Sequence, residues 1–232
     1  MDALSYNEAA DRLNQEWQIA RPNYEHFCND GIMGDANKYF ASQLRIMYLL
    51  KESNDNYINI RGTTQRGADI GSSQNFWGNL GYWTRIIKAY FDGALPVFCP
   101  RAELTENLFP VAYVNVKKNA VNNPQSQSND IQKYANNDKD FLSKQIDMIK
   151  PNVVVCCGDL QINRYRDIYN LWKPNAELLK QLADRLYTHN GRIVIDFYHP
   201  SIYNKNFEDL FNELKAICDN GKLLFDRIRI EE

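Results

Sequence analysis

Histidine is scarce in this chain of 232 residues. There are three, His26, His189 and His199, and none lies close enough to another to suggest a histidine-based metal site. Cysteine is little better represented. Cys28, Cys99, Cys156, Cys157 and Cys218 form no C-x-x-C pair, which argues against structural zinc, an iron–sulfur cluster or a disulfide framework. The odd count reads as free thiols in a reducing compartment, so cytoplasm is the expected location. No apolar run approaches the roughly 18 residues of a membrane span. Residues 1–20 read as a charged amphipathic helix without the apolar core of a secretory signal. An excess of positive charge is also missing: the formal net charge is −2. Any contact with nucleic acid is therefore expected to be local rather than a basic coat.

What is present is an alternation of short apolar runs and helical periodicity. Ile46–Leu50, Val111–Val116, Val153–Cys157 and Ile193–Phe197 are rich in Val, Ile, Cys and aromatics, as strands covered on both faces should be. Trp77, Leu80, Trp83, Ile87 and Tyr90 mark one helix. Phe141, Ile146 and Ile149 mark a second, ended at Lys150-Pro151. Leu178, Leu179, Leu182 and Leu186 suggest a third, and Phe207, Leu210, Leu214 and Ile217 a fourth, ending near Asn220-Gly221. Residues 53–74 and 119–138 are polar and read as long loops. Leu223–Ile230 reads as an edge strand or a packed tail. Asp159, after Cys157-Gly158, is the expected N-cap of a following helix. The expectation is one α/β domain over residues 1–232, a parallel sheet between helix layers.

In such sheets ligands sit at the carboxyl ends of the strands. Three of the four strands end in chemistry-bearing groups: Lys51-Glu52-Ser53-Asn54-Asp55, Asn115-Val116-Lys117-Lys118 and Tyr198-His199-Pro200-Ser201. Asn75-Phe76-Trp77 opens a helix after the first. Together, in this order, these segments resemble the uracil-DNA glycosylase superfamily, nearest to the branch with G-E-A-P-G and Y-H-P-S motifs. The four iron–sulfur cysteines of that branch are not matched. The resemblance covers roughly residues 40–220. It implies a three-layer α/β/α sandwich around a four-stranded parallel sheet of order 2-1-3-4, and a DNA base-excision glycosylase that hydrolyses the N-glycosidic bond of a flipped, damaged or deaminated base. The partner is then DNA or a single-stranded nucleic acid, with no metal, cofactor or membrane. The oligomeric state is not legible.

The resemblance also distributes roles that elementary chemistry supports. The departing base carries negative charge, which a donor at the His199 position stabilises. Asn115 offers an amide to read the base. Phe76 or Trp77 stacks on it, worth about 1–3 kcal/mol. Glu52, with Ser53 or Asp55, orients the attacking water. Lys118 and Ser201 complete the binding set, the lysine facing a phosphate. Ile202 or Tyr203 is the apolar tip available for insertion into DNA. Ser53 stands where the most active branch has an aspartate, so a second expectation is a non-catalytic binder of nucleobase or nucleic acid. A third takes Asp196-Phe197-Tyr198-His199 as the D-x-x-H of an SGNH-type serine esterase with Ser53 as nucleophile.

Overall fold

A computed structural model describes residues 2–54, 59–62, 74–98, 108–121, 126–171 and 179–230. Its elements are α1 (Ala3–Ala20), β1 (Gly31–Met33), α2 (Ala36–Ala41), β2 (Ile46–Asn54), α3 (Gln74–Phe91), β3 (Val111–Val121), α4 (Ser128–Asn137), α5 (Lys139–Ile149), β4 (Val153–Cys157) and α6 (Gln161–Ile168). They continue with β5 (Leu179–Ala183), β6 (Leu186–His189), β7 (Arg192–Phe197), α7 (Phe207–Asn220) and α8 (Lys222–Ile230).

The sheet has the order β1-β3-β2-β4-β7-β6-β5. The four apolar runs lie side by side at its centre, where β2 pairs in parallel with β3 and β4, and β4 with β7. The sheet as a whole is not the expected four-stranded, wholly parallel one of order 2-1-3-4. It is seven-stranded and mixed, because β1 adds antiparallel to β3 and the β5–β6 hairpin adds antiparallel to β7.

Period-two alternation explains how the central strands carry helices on both faces. Tyr48, Tyr113, Val155 and Ile195 point to one side, into a core shared with α3, α7 and α8. Met47, Leu49, Val114, Val154 and Cys156 point to the other, into a core shared with α1, α4, α5 and α6. On the first face the Tyr48 hydroxyl bonds to Thr84 Oγ1 at 2.8 Å and donates to Leu80 O at 3.2 Å, which fixes α3 over the sheet. Helix ends follow local chemistry. Asn206 accepts the Asp209 N–H at the start of α7, and Lys150 takes a left-handed conformation before Pro151 to close α5.

Four further expectations are corrected. Much of 119–138 is not a loop: β3 runs on to Val121 and α4 spans Ser128–Asn137, while residues 122–125 lie outside the described residues. Leu179, Leu182 and Leu186 mark a hairpin rather than a helix, and Leu178 lies outside the described residues. Arg185 supplies a positive φ of 59° at the turn, Leu182 is exposed, and edge pairing with β7 outweighs the helical spacing. Leu223–Ile230 is the helix α8, seated by Phe225, which is wholly buried. Asp159 is not a cap: Leu160 occupies that position, without a side-chain cap. Among the described residues no helix is long and apolar enough to cross a membrane.

Candidate functional site

A cavity of about 470 Å³ opens at the carboxyl ends of β2, β3, β4 and β7. It brings together Glu52, Ser53, Phe76, Trp77, Asn115, His199 and Ser201, residues far apart in the chain. Asp55 lies outside the described residues. Lys118 is not at the cavity. Its side chain is buried, ion-paired to Asp30 and 5.3 Å from the Trp17 ring centre, so the expected contact with phosphate is corrected.

His199 follows β7 in a turn held from three sides. Asn79 Nδ2 donates to Pro200 O at 2.6 Å, Ile202 N to His199 O at 2.9 Å, and Ser201 N to His199 Nδ1 at 3.2 Å. A backbone N–H can only donate, so Nδ1 is an acceptor and the ring proton of the neutral imidazole sits on Nε2. Burial, and then the positive charge of Lys51, lower the pKa of His199 from 6.5, against the opposing pull of Glu52 and Asp159. His199 is thus a neutral N–H donor at pH 7. Gly158 gives it room: its φ is +100°, and a Cβ there would lie 3.2 Å from His199 Cβ.

The aromatic pair divides its tasks. Trp77 is buried against Tyr113 and belongs to the core. Phe76 is half-buried, with its ring centre 6.1 Å from that of His199. It is the aromatic surface left to a planar ligand.

Asn115 is 2 % exposed. Its Nδ2 donates to Asp30 Oδ2 at 3.1 Å and lies 3.6 Å from Cys28 Sγ, while Oδ1 has no partner among the described residues. Burial raises the pKa of the Cys28 thiol, and the neighbouring Ser53 hydroxyl opposes this in part. Glu52 is occupied on both oxygens. Oε1 accepts the Ser126 N–H at 2.9 Å, and Oε2 accepts from Lys117 Nζ at 3.0 Å and Ser126 Oγ at 2.5 Å. Burial raises its pKa, but the Ser126 and Lys117 hydrogen bonds overcome this and the net shift is downward, so Glu52 is a carboxylate that ties residue 126 to the end of β2.

The remaining wall was not read from the sequence. Arg164 is buried, donating from Nη1 to Asp159 O and Gln161 Oε1 and from Nη2 to Ser128 O. Its guanidinium joins the turn after β4 to the start of α4 and makes no ion pair among the described residues. Burial, ahead of the opposing pull of Asp159 and Asp167, lowers its pKa. Gln161 Nε2, also buried, has no partner among the described residues. Asp30, Gln161 and Arg164 belong to no local motif, and only the fold brings them to the cavity or behind it.

The esterase constellation is not formed. Asp196 points to the α6 side of β7, where burial pushes its carboxyl up to about 6 against Arg185 and Arg166. Nδ1 of His199, the atom an aspartate would orient, instead accepts from Ser201. Among the described residues no group of three or more His, Cys, Asp or Glu side chains could hold a metal ion. The chain matches no protein-family model and no curated protein.

Proposed function

We propose that the cavity receives a nucleobase flipped out of DNA and that the chain is a base-excision glycosylase with the sandwich architecture of the uracil-DNA glycosylases. The observation that carries this reading is His199: a neutral imidazole, held by Ser201 so that its Nε2–H is free to donate, beside the half-buried Phe76 ring and the unsatisfied Asn115 carbonyl. Cleavage of an N-glycosidic bond sends electrons into the departing base and leaves an oxocarbenium-like sugar. A fixed Nε2–H at the base carbonyl stabilises that charge as it forms, at no reorganisation cost. Phe76 supplies the stacking that offsets part of the few kcal/mol needed to flip the base. Tyr203, 93 % exposed and four residues beyond His199, is the apolar tip placed to fill the gap in the stack.

Glu52 favours a second reading. Both Glu52 oxygens are engaged and the Ser53 hydroxyl carries no charge, so neither is a ready base for water. A pocket that grips a base without cutting it has this composition. The two readings separate in one assay. Oligonucleotides carrying uracil or hypoxanthine are incubated with the protein and abasic sites are cleaved with alkali. Strand breaks that disappear in His199→Ala support the glycosylase. Base-dependent binding without breaks supports the binder, and neither breaks nor base-dependent binding rejects both.

A further inference from the structure

We propose that Arg164 and Gln161 form an oxyanion subsite at the second wall of the cavity, so that the ligand brings a phosphate monoester of its own: a nucleotide, and not a base alone. The base end of that ligand is the one proposed at His199 and Phe76, so the subsite rests on that reading and adds an anionic end to it.

The cavity straddles the sheet. Phe76 belongs to α3, which packs on one face; Gln161 and Arg164 belong to α6, and Ser128 opens α4, both on the other face. Arg164 is 1 % exposed and Gln161 is wholly buried. Arg164 Nη1 spends both hydrogens, on Asp159 O at 3.1 Å and Gln161 Oε1 at 2.8 Å, and Nη2 spends one on Ser128 O at 3.1 Å. All of these acceptors are neutral. Nε–H has no partner among the described residues, and Nη2 keeps a hydrogen. These neighbouring nitrogens are the fork that takes a phosphate or carboxylate with two bonds. Turning the Gln161 amide over would set its NH2 against the guanidinium, so Oε1 faces Arg164. Nε2 is then left buried and without a partner among the described residues. What the two side chains leave unspent is therefore all donor, around a positive charge without an ion pair among the described residues. A buried charge in that state is costly until an opposite charge meets it. An oxyanion supplies the charge and the acceptors together.

Size and burial choose the anion. At about 470 Å³ the cavity falls within the roughly 300–1,000 Å³ of sites that enclose a drug-sized ligand, and a lone pyrimidine leaves much of it empty. A nucleotide, with a base at one end and a phosphate at the other, matches an aromatic ring on one side of the sheet and a guanidinium on the other. The donors are buried, so the group that meets them sits inside the wall. A monoester has a single link to the rest of its ligand and can be seated there; an internal phosphodiester, whose chain leaves in two directions, cannot.

The test is isothermal titration calorimetry with 2′-deoxy-2′-fluorouridine, a cleavage-resistant nucleoside, with its 5′- and 3′-monophosphates, and with oligonucleotides that carry the same residue internally or at a 5′-phosphorylated end. One of the free monophosphates is expected to bind about tenfold or more tightly than the nucleoside. In Arg164→Met that ratio is expected to fall roughly fivefold or more, and likewise in Gln161→Glu, whose carboxylate pairs with Arg164 in the place of the ligand's anion. A phosphorylated strand end that binds as tightly as the free nucleotide supports the subsite and extends it to strand ends; a weaker one supports it and assigns it to the free nucleotide. Equal binding of nucleoside and monophosphates overturns the subsite and leaves the base pocket standing. An unchanged ratio in either folded variant does the same, and leaves Arg164 as a tie between α4 and α6. An internal residue that binds as tightly as the free monophosphate overturns the monoester. No binding of any of these ligands overturns the subsite and the base reading together. Should Arg164→Met not fold, Gln161→Glu decides the matter.

Discussion

The backbone N–H of Ser201 donates to Nδ1 of His199 across 3.2 Å, and this one bond decides which proton the cavity is offered. With Nδ1 accepting, the proton of the neutral ring is on Nε2. Replacing His199 by Ala removes that donor without touching Phe76 or Asn115. On the proposed glycosylase reading, base binding is expected to change by less than about threefold, whereas the excision rate falls by roughly 10²–10³, the usual loss for one transition-state donor. Single-turnover kinetics on a uracil oligonucleotide separate the two quantities. His199 titrates below 6.5, so the rate is expected to hold from pH 8 down to 6.5 and to decline only under that value, when protonation of Nδ1 breaks its bond to Ser201.

Gly158 bears on the same histidine. Alanine at this position must hold φ at +100° and bring Cβ to 3.2 Å from His199 Cβ. Gly158→Ala is expected to cost about 1–3 kcal/mol of folding stability, from backbone strain, in urea denaturation. On the proposed glycosylase reading the folded fraction should also excise uracil more slowly, with base binding little changed, since His199 is displaced from the wall. A variant as stable and as active as the unmodified protein would show that the turn relaxes freely.

The four central strands were legible because each is buried on both faces and so reads as a continuous apolar run. The hairpin β5–β6 was not. Its leucines fall at helical spacing, and what makes them strands is pairing with Ile193, Val194 and Ile195 of β7, a contact the local sequence does not encode. Leu223–Ile230 has the mirror-image problem: its short apolar run reads as an edge strand or packed tail, yet it is helical and buries Phe225 against Tyr90. At the site, His199, Asn115 and Phe76 were legible because strand ends and a helix start are positions where polar and aromatic residues stand out. Lys118 misled because a lysine in a polar stretch is usually solvated; here β3 continues through it and turns it toward Asp30. Asp30 itself carried no signal, for its meaning lies in four donors that come from β3 and α5.

The Asp30–Lys118 pair yields a stability prediction. Both side chains are fully buried. Lys118→Met leaves the carboxylate uncompensated and is expected to cost about 3–5 kcal/mol, while replacing both partners with uncharged residues restores most of it. Urea midpoints of Lys118→Met and of Asp30→Asn/Lys118→Met measure the difference. If the double variant is no more stable than the single, the pair contributes through packing and not through charge.

Asp196 supplies the opposite case, a carboxylate the fold makes less acidic. Burial, partly opposed by Arg185 and Arg166 and reinforced by Asp159 and Asp184, raises its pKa from 3.8 to about 6. Between those values the native state binds the proton and the unfolded state does not, so the contribution of Asp196 is fully present below pH 3.8 and is lost as pH rises through 6. Above pH 6 the folded protein therefore carries a charge it holds at a cost. Asp196→Asn keeps the shape and removes the charge. The variant is expected to exceed the unmodified protein by about 1–3 kcal/mol at pH 7.5, with the gap closing by pH 4. Urea unfolding at several pH values gives the two curves directly. Parallel curves would mean that Arg185 and Arg166 compensate the carboxylate fully. A variant that lost activity only in proportion to its folded fraction would, in addition, separate Asp196 from the chemistry proposed at His199.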